Sequence, residues 1–274
     1  MQHGFLLTSV ASNQPVCKPY TMFCVIEAVE YDEYFVPALF EPWARDLIHR
    51  ALVWKGDRVV DLACGTGIVA CRIAGAGAQV IGVDSSPDQL AQAQVRAREE
   101  AVPVTWLMRD FTATTLKSAS ADLVTCQQGL QFAPDRHAVV KEARRLIASG
   151  GRAVFSCWAE LARQDGFREV EAIATRHFGP GDGAASSMTE TELRELFASH
   201  FMAVQVETVT RLVRFPEPER FARSMLTARA ADRGATMNHD SVVEAIAALA
   251  PFVVDDKLEL KSAAIVTVGR VSAK

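Results

Sequence analysis

The stretch Val59-Val60-Asp61-Leu62-Ala63-Cys64-Gly65-Thr66-Gly67 runs from β-branched apolar residues into an acid and then into a glycine turn, with the apolar run Ile68-Val69-Ala70-Cys71 behind it. The first part reads as a buried strand and the last as a helix. Between them the glycines let the backbone turn sharply and come close to a ligand. Such a turn presents the unpaired N–H groups of a helix N-terminus to whatever lies above it. Asp61 is placed to accept a hydrogen bond from a ligand ammonium or to order the loop. Further on, Ile81-Gly82-Val83-Asp84 ends a second strand on another acid, 17 positions beyond Gly67. A carboxylate there can take both hydroxyls of a ribose. Ala70 stands where a third glycine would complete GxGxxG. A nicotinamide site also accepts alanine there, so the turn alone leaves the nucleotide open.

The alternation continues outward from this unit. Strands are expected at residues 58–63, 79–83, 104–108, 121–126 and 152–158, with helices at 67–74, 87–100 and 135–147 between them. Pro87 takes the favoured first helical position behind Ser85 or Ser86 as cap. The β-branched stretch 202–215 and the strand-like stretch 260–271 add two more strands. The expectation is an α/β fold: a Rossmann-like, doubly wound, seven-stranded sheet, mostly parallel with an antiparallel last strand. Ahead of it, Leu39, Phe40, Trp43, Leu47 and Ile48 recur at helical spacing over 37–52. Residues 1–36 are read as an N-terminal segment and candidate lid, and 37–274 as the main domain. Pro216 and Pro218 open an insertion, 216–257, with helical stretches near 221–231 and 241–249. As a cap over the strand ends it would let Phe221, Met225 and Leu226 line a cavity; a homodimer surface is the other reading. A helix near 165–176 leads to the glycine-rich stretch 179–185, a lid or a solvated loop.

Bulk properties narrow the function. The 274 residues suit one α/β core with an insertion. The 29 basic and 33 acidic residues give a net charge of −4 and interleave without forming a basic stripe, which disfavours a nucleic-acid partner. No apolar run is long enough to span a membrane, and the first residues lack the cationic start of a signal peptide, so a cytoplasmic location without membrane insertion is expected. Six cysteines, Cys17, Cys24, Cys64, Cys71, Cys126 and Cys157, contain no CxxC pair. They are read as reduced, mostly buried thiols, with no metal site.

Asp61-Leu62-Ala63-Cys64-Gly65-Thr66-Gly67 resembles the first motif of class I S-adenosylmethionine-dependent methyltransferases. Asp84 matches the ribose-binding acid of that family, Arg109-Asp110-Phe111 the segment flanking the adenine, and residues 146–155 with Gly150-Gly151 the turn into the fifth strand. Within the superfamily the chain is similar to the ubiquinone/menaquinone-methyltransferase-like (type 11) group. Gln127-Gln128-Gly129-Leu130-Gln131-Phe132 and Tyr31-Asp32-Glu33-Tyr34-Phe35-Val36-Pro37 look like recurrent stretches of one branch of it. The resemblance spans roughly residues 31–270. It implies S-adenosyl-L-methionine as cofactor, with the Ala63, Gly65 and Gly67 backbone cradling the methionine part beside Asp61. It further implies Asp84 and the adjoining Ser85 at the ribose, Asp110 at the adenine amine, Phe111 packing beside it and Gln127 near the sulfonium. Asp61 and Asp110 can also serve as caps. Nucleic-acid amino-methyltransferases carry an Asn/Asp-Pro-Pro-aromatic motif after the fourth strand. Gln127-Gln128-Gly129-Leu130 stands there instead, which favours a small-molecule acceptor.

The implied reaction moves a methyl group to an O, N or C atom of a small organic molecule, in secondary or quinone-like metabolism. The alternative is a protein, or a cyclase, that binds the same cofactor without transferring its methyl. Positioning can supply much of the rate, and a general base is needed only if the acceptor must lose a proton. Tyr31, Tyr34, His137 and His177 are the candidates, none of them in a recognisable dyad, so no catalytic base is assigned.

Overall fold

The computed structural model describes residues 26–181 and 187–273. Residues 1–25, with Cys17 and Cys24, lie outside that range, as do 182–185 of the glycine-rich stretch. Five parallel strands come first: β1 (Arg58–Leu62), β2 (Gln79–Asp84), β3 (Val104–Met108), β4 (Ala121–Gln127) and β5 (Ile147–Trp158). They are followed by β6 (Met202–Phe215), β7 (Val253–Val254) and β8 (Lys257–Arg270). The order across the sheet is β3-β2-β1-β4-β5-β8-β6, with β7 paired to β8. The last strand, β8, is antiparallel to both β5 and β6. The winding reverses between β1 and β4, and a crevice opens above their carboxyl ends at such a switch point.

Among the described residues the sheet has eight strands where seven were expected. The extra one is β7, whose Val253 and Val254 pair with Leu258 and Lys257. Asp255 and Asp256 make the reversal with φ of 49° and 60°. Aspartate tolerates this left-handed geometry, but a DD pair carries no glycine to signal it. β5 also begins earlier than expected. Ile147 pairs with Ala121 before an irregularity at the Gly150-Gly151 turn, and the regular ladder resumes at Arg152.

Among the described residues, eight α-helices of eight or more residues flank the sheet: α1 (Glu41–Ala51), α2 (Ile68–Gly75), α3 (Pro87–Glu99), α4 (Arg136–Leu146), α5 (Phe167–Phe178), α6 (Glu190–Ala198), α7 (Pro218–Asp232) and α8 (His239–Leu249). Because side chains alternate along a strand, the sheet builds two apolar layers. Val59, Leu123 and Val154 pack with α1, α2, α5, α7 and α8. Val60, Val124 and Phe155 pack on the other face with α4 and α6. Ahead of α1 the chain is helical from Ala28, and Tyr31–Phe40 has π-helical form with Pro37 inside it. Proline cannot donate to a helical ladder, which is why sequence pattern placed a start at Pro37 instead. Within this stretch Tyr34, Phe35 and Leu39 are buried.

β6 runs parallel to β5, so it ends at Phe215 on the edge where β1 to β5 end. The insertion carrying α7 and α8 therefore leaves from that edge. Phe221, Met225 and Leu226 face inward there. Each is fully buried, and Phe221 lies 4.8 Å from Phe215 and 5.1 Å from Phe167, ring to ring. Their apolar area is used up in joining the insertion to α5 and the Tyr31–Phe40 segment. Among the described residues no helix is long and apolar enough to cross a membrane.

Candidate active site

The turn between β1 and α2 is left-handed at Ala63, Gly65 and Gly67, with φ of 52°, 54° and 83°. It is held from below: the Cys64 amide donates to the Val83 carbonyl, and the Gly65 amide to Asp84 Oδ2 at 2.8 Å. The two glycines differ in what surrounds them. A Cβ on Gly67 would come within 2.6 Å of the Trp106 ring, and one on Gly82 within 2.4 Å of it. Glycine at 67 thus lets Trp106 pack under the turn. A Cβ on Gly65 would meet only Gln89 Oε1, at 3.6 Å.

An open pocket lies between this turn and the N-terminal segment. It is lined by Tyr31 and Phe40 on one side, by Asp61 and residues 63–66 with Ile68 and Val69 on the other, and by Gln127 from the tip of β4. The Tyr31 and Phe40 rings pack together at 4.7 Å. The Gln127 amide donates to the Phe40 carbonyl at 3.0 Å, which ties β4 to the aromatic wall. Three lining residues carry buried polar atoms with no partner: Asp61 Oδ2, Thr66 Oγ1 and Gln127 Oε1. Gln128 next to the pocket has φ of 47°, is buried, and leaves both amide atoms unpartnered.

The two acids differ in their ties. Asp61 Oδ1 accepts from the Thr125 hydroxyl at 2.7 Å. Burial pushes its carboxyl up to about 7, against the Thr125 hydrogen bond, with the nearby Asp84 charge adding to the rise and the Ala70 amide opposing it. Asp84 is also raised by burial, opposed by the amides of Ser86, Gly65 and Ser85. Its Oδ1 accepts from Ser86 at 2.9 Å. An ionised carboxylate offers about four acceptor sites, so these backbone amides still leave capacity for a ligand.

Ser85, half-buried, follows Asp84 on the same loop, and Ser86 is the α3 cap, accepting from the Gln89 amide. Asp110 is exposed. Its Oδ1 takes the Thr112 amide and hydroxyl at 2.7 and 2.6 Å, so at least that oxygen orders a local turn. Phe111 is half-buried against the layer of α4 and α6.

Of the four base candidates, only Tyr31 lines the pocket. Tyr34 is buried, donates its hydroxyl to the Glu217 carbonyl at 2.6 Å and lies under the Arg220 guanidinium, 4.6 Å away. Burial lifts the phenol above its usual range, so it keeps its proton. His177 faces Glu244 on α8 at 3.2 Å and joins α5 to the insertion. His137 is exposed on the first turn of α4. Sequence pattern missed Phe40, read only as part of an apolar helix face, and Thr125, the partner of Asp61, which no motif marks. Cys64, Cys71, Cys126 and Cys157 are free and buried. Burial holds all four thiols above their usual range. Among the described residues no group of three or more His, Cys, Asp or Glu is placed to hold a metal ion.

Residues 60–155 match the family described as methyltransferase domain. A ubiquinone biosynthesis O-methyltransferase of Photorhabdus laumondii is 35% identical over 102 residues, a stretch that spans 37% of this chain and 42% of that relative. The YcgJ protein of Bacillus subtilis superposes with a TM-score of 0.59 at 17% identity, covering 84% of this chain and 98% of its own. A phosphoethanolamine N-methyltransferase of Haemonchus contortus, solved in complex with S-adenosyl-L-methionine, gives 0.55 at 19% identity, over 85% of this chain and 53% of its own. At these identities the solved structures speak for the fold alone.

Proposed function

We propose that this chain, whose residues 60–155 match the methyltransferase domain family, is an S-adenosylmethionine-dependent methyltransferase acting on an O, N or C atom of a small organic molecule. The observation that carries this reading is the pocket over the glycine turn with its three unpartnered buried atoms, Asp61 Oδ2, Thr66 Oγ1 and Gln127 Oε1. A buried polar atom without a partner costs about 1–3 kcal/mol, so three around one opening favour a polar ligand. An amino-acid moiety fits: its ammonium suits Asp61 and its carboxylate suits a hydroxyl and the N-terminus of α2. In this reading Ala63, Gly65 and Gly67 hold the methionine part through the backbone. Asp84 takes the ribose hydroxyls with Ser85 beside it, Asp110 Oδ2 and Phe111 receive the adenine, and Gln127 stands near the sulfonium.

The bound cofactor would supply an electrophilic methyl group on a sulfonium. The chain's own residues then align and dry the site. The Tyr31–Phe40 wall and the Gln127 tie to Phe40 keep water from one side, and the β1–α2 turn fixes the other. The name of the Photorhabdus relative favours an oxygen acceptor on a quinone-like or phenolic ring. Mass spectrometry of reactions holding S-adenosylmethionine and a panel of phenolic, quinone-like and amine compounds tests this. A product heavier by one methyl, formed together with S-adenosylhomocysteine, is expected. Cofactor returned intact with every compound would instead fit a protein that only binds it.

A further inference from the structure

The Tyr31–Phe40 wall is fastened at both ends to the two helices that rise from the cofactor loops. At its start, Asp32 Oδ1 accepts from Arg96 of α3 at 2.6 Å, and Asp32 Oδ2 from Gln92 at 3.2 Å. At its end, Glu41 pairs with Arg72 of α2 at 3.0 Å. Arg96 reaches three ways: Nη2 to Asp32, Nη1 to Glu100 at 3.3 Å, and Nε to the Thr66 carbonyl in the glycine turn at 3.1 Å. One guanidinium thus bridges the wall and the turn, the two sides of the pocket that Tyr31 and Thr66 line. The Asp32 and Arg96 side chains are each only 13% exposed. That shields the pair from the solvent screening that makes surface pairs weak. A planar, forked cation suits such a bridge in a way an ammonium does not.

We propose that Arg96 is a positioning residue that latches the Tyr31–Phe40 wall to the glycine turn and so holds the cofactor in place. Arg96 does not itself line the pocket. It acts by fixing the distance between the two walls, and release of the Asp32 end is the step that lets ligand leave. The inference rests on the reading of the pocket as a cofactor site.

The test uses the full chain, with S-adenosylhomocysteine as probe and stopped-flow kinetics as readout. Arg96→Met keeps the aliphatic stem and removes the fork, while Asp32→Asn removes the charge at the other end. Each single variant is expected to release the probe about five- to tenfold faster. Association should be no slower than in the natural chain, and the double variant no worse than Arg96→Met alone, since that substitution already removes the Asp32 link along with those to Thr66 and Glu100. Amide exchange over residues 28–40 should rise in ligand-free Arg96→Met relative to α5. Should that variant not fold, Arg96→Lys, which can satisfy Asp32 or Thr66 but not both, is expected to give an intermediate release rate. Unchanged release, strictly additive effects, or slowed association with unchanged release would each overturn the latch. If the natural chain binds the probe and the variants release it normally, the latch alone falls. If the natural chain does not bind it, the cofactor reading falls and takes the latch with it.

Discussion

Burial holds the Asp61 carboxyl at about 7, up from 3.8. Between these values the folded chain keeps a proton that the unfolded chain has lost, so the ligand-free protein loses stability as pH rises from about 4 to about 7. In Asp61→Asn this component of the slope disappears. Urea titrations at several pH values should show the natural chain weakening toward pH 8 relative to the variant; parallel slopes would contradict the assignment. Because a ligand ammonium prefers the ionised carboxylate, affinity for S-adenosylhomocysteine is predicted to rise between about pH 6 and 8 in the natural chain and to stay flat in Asp61→Asn. The two glycines of the turn separate cleanly. Gly67→Ala drives a Cβ into Trp106 at a left-handed position and should cost about 2–4 kcal/mol of stability. Gly65→Ala should cost only about 1–2 kcal/mol, since its Cβ would meet only Gln89 Oε1 at 3.6 Å, yet it should lose probe affinity because Gly65 lines the pocket. Melting curves and calorimetry on the two variants check this pair. Sequence alone could read both glycines as approach sites for a ligand. It could not show that Trp106, some forty residues away, fills the space over one of them.

Among the elements, α6 was not anticipated although Thr189 and Glu192 stand at capping-box spacing. The Thr189 hydroxyl accepts from the Glu192 amide at 3.2 Å, and the Glu192 carboxylate accepts from the Thr189 amide at 2.7 Å. Thr189→Ala should cost about 1 kcal/mol, read from the shift of a denaturant midpoint. The Tyr31–Phe40 segment was harder to read, since its pattern of apolar residues fits neither α nor β periodicity when the ladder is π-helical. Tyr34 belongs to that segment as a packing residue. Tyr34→Phe should lose about 1–2 kcal/mol of stability through the unpaired Glu217 carbonyl. With an identified acceptor, Tyr34→Phe and His177→Ala should each lower turnover by less than about 100-fold, below the usual loss of a required base. Abolished turnover with normal cofactor affinity in either would show that a base exists there.

At the scale of the whole molecule, the doubly wound order was legible because the strand–turn–helix rhythm repeats from β1 through β5 and every strand is a compact apolar run. The insertion's exit from the carboxyl edge followed from its place between two strands. What packs against its apolar face did not, because Phe221, Met225 and Leu226 could be lining or core on pattern alone, and pattern does not show that the rings of Phe167 and Phe215 close on Phe221. The glycine turn and Asp84 share the same logic: short motifs at the tips of neighbouring strands, brought together by the register Leu62 to Val83. The measurement that bears most directly on the whole account is calorimetric titration of the natural chain and Asp84→Ala with S-adenosylhomocysteine, with NAD as comparison. The account predicts a single site for S-adenosylhomocysteine, no binding of NAD, and affinity lower by about 10- to 150-fold in the variant. No heat with S-adenosylhomocysteine, or equal affinity in the two proteins, would contradict it.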